Sequence, residues 1–195
     1  MKKIGFVRHG VTAWNKERRW QGTVDIPLDE EGIQEAHLVG ERLAGENWQI
    51  IYASPLLRAR RTAEIIHGAM PDIDLRFDDR LMEVSGGKVE GTTEDERVQM
   101  WGADWRTRSA EYGMETDEDM ISRGMAFLDD IRKQPEERVL VVTHGGFIAR
   151  MLSALTPGRK YTERLLNTSV TEVELQEECN LCTLYNCTRH LTPGG

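Results

Sequence analysis

The sequence predicts a three-layer α/β/α sandwich on a mainly parallel, mixed central sheet, and three features of the 195-residue chain carry that expectation. Short runs rich in β-branched residues, at 4–7, Ile50–Ala53 and 139–142, have no polar alternation and so read as strands covered on both faces. Each is followed by an amphipathic helical stripe, and strands that alternate with helices pair in parallel through crossovers. Near the carboxyl end, 170–175 and 181–185 alternate apolar with polar residues around a polar turn, a hairpin that makes the sheet mixed.

The first run, Ile4-Gly5-Phe6-Val7, stops at Arg8-His9-Gly10. Ligands of open α/β sheets bind outside the carboxyl ends of the strands, so Arg8 and His9 stand at the mouth of that crevice. Residues 14–22 lack clean periodicity and read as a short helical turn and loop on its rim. Asp29 is a plausible N-cap for a helix that buries Ile33, Ala36, Leu43 and Ala44 and exposes His37. After the second strand, Ser54 reads as an N-cap with Pro55 at the first helical position. Leu56, Ala59, Ala63 and Ile66 form the core stripe of that helix, Arg58 lies in its first turn, and Arg60 and Arg61 make a solvated face.

Pro71 closes this segment, and Leu75-Arg76-Phe77 is an edge-like strand leading to Glu83. From 85 to 115 the pattern weakens, as expected of a lid or specificity segment. Trp101 and Trp105 fit one packed helix face better than a pocket wall. Thr116 starts a helix with Met120, Gly124, Phe127, Leu128 and Ile131 on one side. A turn then leads to the strand that delivers His144, and Phe147, Ile148, Met151, Leu152 and Leu155 define a helix ended by Pro157-Gly158. Residues 1–191 are thus expected to form a single domain, with 192–195 a frayed tail.

A net charge of −8 disfavours non-specific binding to nucleic acid or to an anionic membrane, both of which need a basic patch. No stretch approaches the roughly 18 apolar residues of a membrane span, and the first apolar run is too short for a signal peptide; a soluble, cytoplasmic protein is expected. Three cysteines without a secretory signal favour reduced thiols. The gaps between Cys179, Cys182, Cys187 and His190 faintly resemble a zinc knuckle, but they fall on the expected hairpin, and no metal is expected there.

His9 and His144 at strand ends, with Arg8 and Arg58 beside a helix amino terminus, form an anion trap whose natural occupant is a dianionic phosphoryl group. These residues carry a resemblance. Arg8-His9-Gly10 with Thr12, Trp14 and Asn15, then Ser54-Pro55-Leu56 with Arg58, Ala59, Thr62 and Ala63, then Glu83 with Gly87, Glu90 and Gly91, and finally Thr143-His144-Gly145-Gly146 are similar, in order, to the four blocks of the histidine phosphatase superfamily. The resemblance spans most of the chain and implies the phosphoglycerate-mutase-like fold. It also implies a phosphatase that acts on a small-molecule phosphomonoester with neither metal nor cofactor.

Carried onto these positions, the family chemistry makes His9 the nucleophile. Arg8, Arg58 and His144 hold the non-bridging oxygens, and Glu83 protonates the leaving alkoxide. Crowding and burial act to keep Glu83 protonated, and the surrounding cations oppose them. Asn15, Gln21, Thr12 and Gly145 are the implied substrate-binding residues; the plainer readings are that Asn15 only caps a helix and that Gln21 is solvated. The rival within the family is a cofactor-dependent mutase, whose tyrosine and lysine positions hold Gly86 and Glu94 here and whose adjacent arginine pair is replaced by the separated Arg106 and Arg108. A non-catalytic binding module on the same fold would be expected to lack His9, His144 or Glu83, and this chain has all three. Val89 stands where many family phosphatases have an aromatic residue, which implies a smaller shelf in the pocket.

Overall fold

Three neighbouring strands that end level with one another build the site, and their register follows from the unbroken apolar runs. The computed structural model describes residues 1–192; 193–195, and with them most of the expected tail, lie outside the described residues. The elements are β1 (Lys2–Arg8), α1 (Ala13–Lys16), α2 (Glu30–Ala44), β2 (Ile50–Ala53), α3 (Leu57–Gly68), β3 (Asp74–Phe77), α4 (Glu94–Trp101), α5 (Asp117–Arg132), β4 (Arg138–Thr143), α6 (Gly145–Leu155), β5 (Val170–Leu175) and β6 (Leu181–Cys187).

The six strands form one sheet in the order β3-β2-β4-β1-β5-β6. The pairs among β3, β2, β4 and β1 are parallel, while β5 runs antiparallel to β1 and β6 to β5, so the sheet is mixed and mainly parallel as expected. Alternate residues of each central strand face opposite layers. Ile4, Phe6, Val139 and Val141 pack with Phe127, Phe147 and Ile148 of α5 and α6. Val7, Ile51, Leu140 and Val142 pack with Val39, Leu43 and Ile66 of α2 and α3. Gly5 lies on the second face, where a Cβ would come within 2.5 Å of the Trp48 ring.

The register pairs Arg8 with Thr143, which sets Arg8-His9 beside Thr143-His144. The His9 N–H donates to the Thr143 carbonyl at 2.9 Å and the Ser54 N–H to that of Val142 at 3.0 Å, so all three chain segments leave the sheet at one edge.

Four local expectations change. Helix α3 begins at Leu57 with Leu56 as an N-cap that makes no side-chain bond, so Ser54 is not the cap; its hydroxyl turns to His144 instead. On α2 the buried arc is Gly32, Ala36, Val39, Gly40 and Leu43, with Ile33 at its margin and Ala44 exposed. The arc is centred between Ala36 and Val39, and at about 100° per residue Ala44 falls outside it. Trp101 and Trp105 do not share a helix face, because Gly102, at φ 86°, ends α4 between them. They meet all the same in a small separate cluster with Val89 and Tyr112. Val89 is therefore fully buried in that cluster and forms no shelf of the pocket. Among the described residues no helix is long and apolar enough to cross a membrane.

Candidate active site

The strand ends open into a cavity of about 520 Å³ whose inner end is walled by Arg8, His9, Asn15, Arg58, Glu83 and Gly145. His9 leaves β1 with its ring nearly buried, 3 % exposed, and its Nδ1 lies 2.7 Å from the Gly10 carbonyl. A carbonyl can only accept, so Nδ1 carries the proton and Nε2 keeps a lone pair. His144 lies alongside, with ring centroids 5.3 Å apart. Its Nε2 is 2.8 Å from Ser54 Oγ, which already accepts the Leu56 N–H. Among the described residues the Ser54 hydroxyl proton has no other acceptor, so it goes to Nε2 and places the His144 ring proton on Nδ1. Among the described residues that Nδ1 is buried with no partner, as are Arg8 Nε and Arg58 Nε. Buried donors without acceptors are rare in folded chains, and three in one place form a ready anion receptor.

The two guanidiniums are held from behind. Arg8 Nη1 donates to the Leu165 carbonyl at 2.6 Å. Arg58 donates to Val24 and Gly22 carbonyls at 2.8 and 2.7 Å. Burial lowers both arginines to about 10, with the Arg164 charge adding to the effect on Arg8. Burial, then the charge of Arg58, holds both His9 and His144 well below the usual histidine range. Both rings are therefore neutral at pH 7.

That neutrality has a thermodynamic consequence. The folded-state pKa values are depressed, so below about pH 6.5 the unfolded chain takes up protons that the folded chain refuses, and stability falls with acid. Between pH 6.5 and 5.5 the loss should be about 1 kcal/mol for each histidine, roughly 2 for His9 and His144 together, steepening toward about 1.4 per pH unit each at lower pH. His190, lowered to about 4 by burial, then by Arg42 and Arg189, adds in the same sense. Urea unfolding at pH 6.5 and 5.5 should show this slope, and it should flatten in His9→Gln/His144→Gln; an unchanged slope in the double variant would assign it to other groups.

Glu83 is built into the start of α6. Its Oε1 accepts from the Val84 and Phe147 N–H groups, both at 2.9 Å, and its Oε2 from Gly146 at 3.0 Å. With two donors on Oε1, Oε2 is the oxygen with a lone pair left for a transferable proton. The approach is so close that a Cβ on Gly146 would lie 2.6 Å from Glu83 Oε1, so a larger residue there would displace the carboxylate. The Gly145 N–H, ahead of the first helical hydrogen bond, makes no bond to protein among the described residues.

The other expected residues separate by position. Asn15 reaches the cavity. Its Oδ1 accepts from the Thr12 N–H, the Thr12 hydroxyl and Asn167 Nδ2 at 3.1, 3.1 and 3.2 Å. Those three donors settle which way the amide faces, and its NH₂ remains for a ligand. Thr12 is fully buried as the N-cap of α1 and lies behind Asn15, outside the cavity wall. Gln21 reaches the cavity with a buried, unpartnered Oε1.

Two groups escape the sequence reading. Asn167 donates to the His9 carbonyl at 2.9 Å and thereby joins His9 to Asn15, although it lies 158 positions along the chain. Arg18 and Arg164, both exposed, also line the cavity. The signal that could have exposed them was weak, since neither 156–169, which holds Asn167 and Arg164, nor 14–22, which holds Arg18, has a periodicity to place its side chains. The cysteines disperse: Cys179 is exposed, Cys182 lies in the core, and His190 pairs with Thr168 at 3.1 Å. Among the described residues, no three His, Cys, Asp or Glu side chains are grouped so as to hold a metal.

Comparison with known proteins agrees with this geometry. The chain is 34 % identical over 195 residues to a protein of Bacillus subtilis strain 168 named uncharacterized phosphatase PhoE, covering 98 % of each. It is 35 % identical to a Salmonella choleraesuis protein named probable phosphoglycerate mutase GpmB, covering 91 % of this chain and 86 % of that one. Among solved structures it superposes on a phosphoserine phosphatase mutant of Entamoeba histolytica in complex with phosphoserine. The TM-score is 0.79 at 28 % identity, covering 98 % of this chain and 100 % of that one. The family description "histidine phosphatase superfamily (branch 1)" matches residues 4–188, and with that match over its fold and its histidine-arginine cluster, the chain belongs to the histidine phosphatase superfamily.

Proposed function

We propose that the protein is a metal-independent phosphomonoesterase working through a phosphohistidine at His9. The observation that carries this reading is the neutral His9 ring, its Nδ1 proton bound to the Gly10 carbonyl and its Nε2 free among unpartnered buried donors. In the first step the Nε2 lone pair forms the N–P bond as the P–O bond to the alcohol breaks, and Glu83 gives its proton to the departing oxygen. In the second, water attacks phosphorus, Glu83 takes the water proton, the N–P bond breaks and inorganic phosphate leaves. Arg8, Arg58 and His144 Nδ1–H meet the equatorial oxygens, with the Asn15 NH₂ and the Gly145 N–H as further donors. Fixed donors of this kind commonly contribute ~100-fold or more each, enough to replace a metal. Gln21 is assigned to substrate binding as well, and Thr12 acts through Asn15.

Hydrolysis is favoured over mutase chemistry because Glu94, at the position of the mutase lysine, is turned away from phosphate. It accepts from Arg97, Arg106 and Trp105 Nε1 and is outside the cavity wall. The segment 85–115 acts as a specificity wall, supplying Arg97 and Arg106 to the cavity. The purified protein should hydrolyse p-nitrophenyl phosphate in excess EDTA, be inhibited by vanadate, and yield an acid-labile phosphoenzyme on rapid quench with labelled substrate. Activity lost in EDTA and restored by a divalent ion would refute the mechanism.

A further inference from the structure

Between β3 and Glu83 the chain makes one 3₁₀ turn, Asp79–Leu81, and then runs irregularly, so its backbone carbonyls need donors from elsewhere. Four successive carbonyls find them in side chains. Thr143, the last residue of β4, donates its hydroxyl to Leu81 at 2.7 Å. Arg123 of α5 donates to Arg80 and Met82 through Nη1 at 2.6 and 2.8 Å, and to Glu83 through Nη2 at 3.3 Å. Arg123 also meets the Glu115 carboxylate side-on, Nε to Oε1 at 2.7 Å and Nη2 to Oε2 at 2.9 Å. A guanidinium has five N–H donors, and these bonds use all of them.

Helix packing sets Arg123 where it can do this. At Gly124 the helices α5 and α6 approach so closely that there is no room for a Cβ against Met151 Sδ, and the neighbouring Arg123 guanidinium lies 5.5 Å from the centre of the Phe147 ring. The Phe147 N–H is itself a donor to Glu83 Oε1. One side chain thus binds the backbone of Glu83 and packs on a residue that binds its carboxylate. Glu115 adds a further fixed point, because its Oε2 accepts the Ser85 N–H at 3.2 Å and its own N–H donates to the Ser85 carbonyl at 2.9 Å. The two ends of the 85–115 segment are closed on each other in this way, two residues from Glu83. Neither Arg123 nor Glu115 lines the cavity, so neither touches a substrate held there.

We infer that Arg123, clamped by Glu115, is a positioning residue for Glu83 and sets where the carboxyl stands relative to the leaving oxygen. This rests on the reading of Glu83 as the general acid and adds the device that holds it. A proton donor has to come within about 2.6–3.2 Å of the atom it serves, and a misplacement of ~1 Å can cost ~100-fold in rate. Lysine at this position would keep the positive charge and lose the fork. Its ammonium has three donors and cannot meet a carboxylate side-on and three carbonyls together, so Arg123→Lys separates geometry from charge.

The measured quantity is kcat/KM, which in a phosphoenzyme mechanism reports the steps up to phosphoryl transfer. Arg123→Lys should lower it by ~10- to 100-fold for an alkyl ester such as glycerol 3-phosphate and by ~3-fold or less for p-nitrophenyl phosphate. Vanadate should inhibit the variant as well as it inhibits the parent, because Arg8, Arg58 and His144 are unchanged. Introduced into Glu83→Gln, the same substitution should add no further selectivity against the alkyl ester, since the acid it positions is already gone. Glu115→Gln, which leaves one accepting oxygen in place of two, should show the same selectivity to a smaller degree and carries the test if Arg123→Lys does not fold. An equal loss for both esters, no loss, or a selective loss that persists in full on Glu83→Gln overturns the inference while Glu83 stands as the acid. A Glu83→Gln variant that slows both esters equally refutes the reading of Glu83 and takes this inference with it.

Discussion

His9→Ala should reduce hydrolysis of every phosphomonoester by at least ~10⁴-fold, the scale of loss when the nucleophile of a covalent mechanism is removed. It should leave the protein folded. His9 lies just beyond β1, its ring packs against His144 and not in either apolar core, and the backbone bond from its N–H to Thr143 is untouched by the substitution. Removing a buried imidazole flanked by Arg8 and Arg58 also removes the group whose protonation they oppose, so the variant should unfold with less acid sensitivity than the parent. Phosphate release measured beside a circular-dichroism melt separates these effects. A folded variant with substantial activity would show that His9 is not the group phosphorylated. No phosphoenzyme should be trapped from it, whereas the parent should give one.

Glu83→Gln should slow esters of poor leaving groups by about two or more orders of magnitude in the phosphorylation step, within the ~10²- to 10⁴-fold range of general acid catalysis. Aryl phosphates, which depart as stable phenolates, should lose much less. The geometry adds a complication that has to be separated from chemistry. The carboxylate accepts three backbone N–H bonds, and glutamine can satisfy only those on one oxygen. Its amide oxygen would keep the Val84 and Phe147 bonds, while its NH₂ would meet the Gly146 N–H, donor against donor. That cost falls on all substrates alike and cannot create a dependence on the leaving group. Pre-steady-state rates across a series of alcohol and phenol phosphates therefore provide the discriminating measurement. A uniform loss would make Glu83 a positioning element of the α6 start and would require another acid.

Much of this protein is legible from its residues alone because the information is local or periodic. Unbroken β-branched runs and helical stripes define the layers, and the residues of α5 and α6 expected to be buried are the ones buried. Arg8, His9 and His144 are identifiable because a polar group at the end of an apolar strand has only the crevice to occupy, whereas Glu83 is legible only through the resemblance of its motif. Strand register and open-sheet topology together bring the ends of β1, β2 and β4 level.

Other features were decided by contacts between distant segments. Ser54 has the composition of an N-cap, yet the hydroxyl is taken by His144, 90 positions away, and the helix starts later with no side-chain cap. Val89 reads as a pocket residue by its place in a motif, but Trp105 and Tyr112 enclose it. Nothing around Asn167 or Arg164 marks either one, because irregular segments have no period from which a direction can be inferred. Asn167 meets the Asn15 amide across 152 positions, and Arg164 acts on Arg8 only through its charge. By itself the sequence determined the sheet, the helical layers and the histidine-arginine pair at the strand ends, since these follow from side-chain periodicity and strand termination. Only the tertiary structure decided the tautomers of His9 and His144, the face of the Asn15 amide and which backbone N–H groups each oxygen of Glu83 accepts. Each of those depends on which donor and acceptor meet across the fold, and no local pattern of residues encodes that meeting.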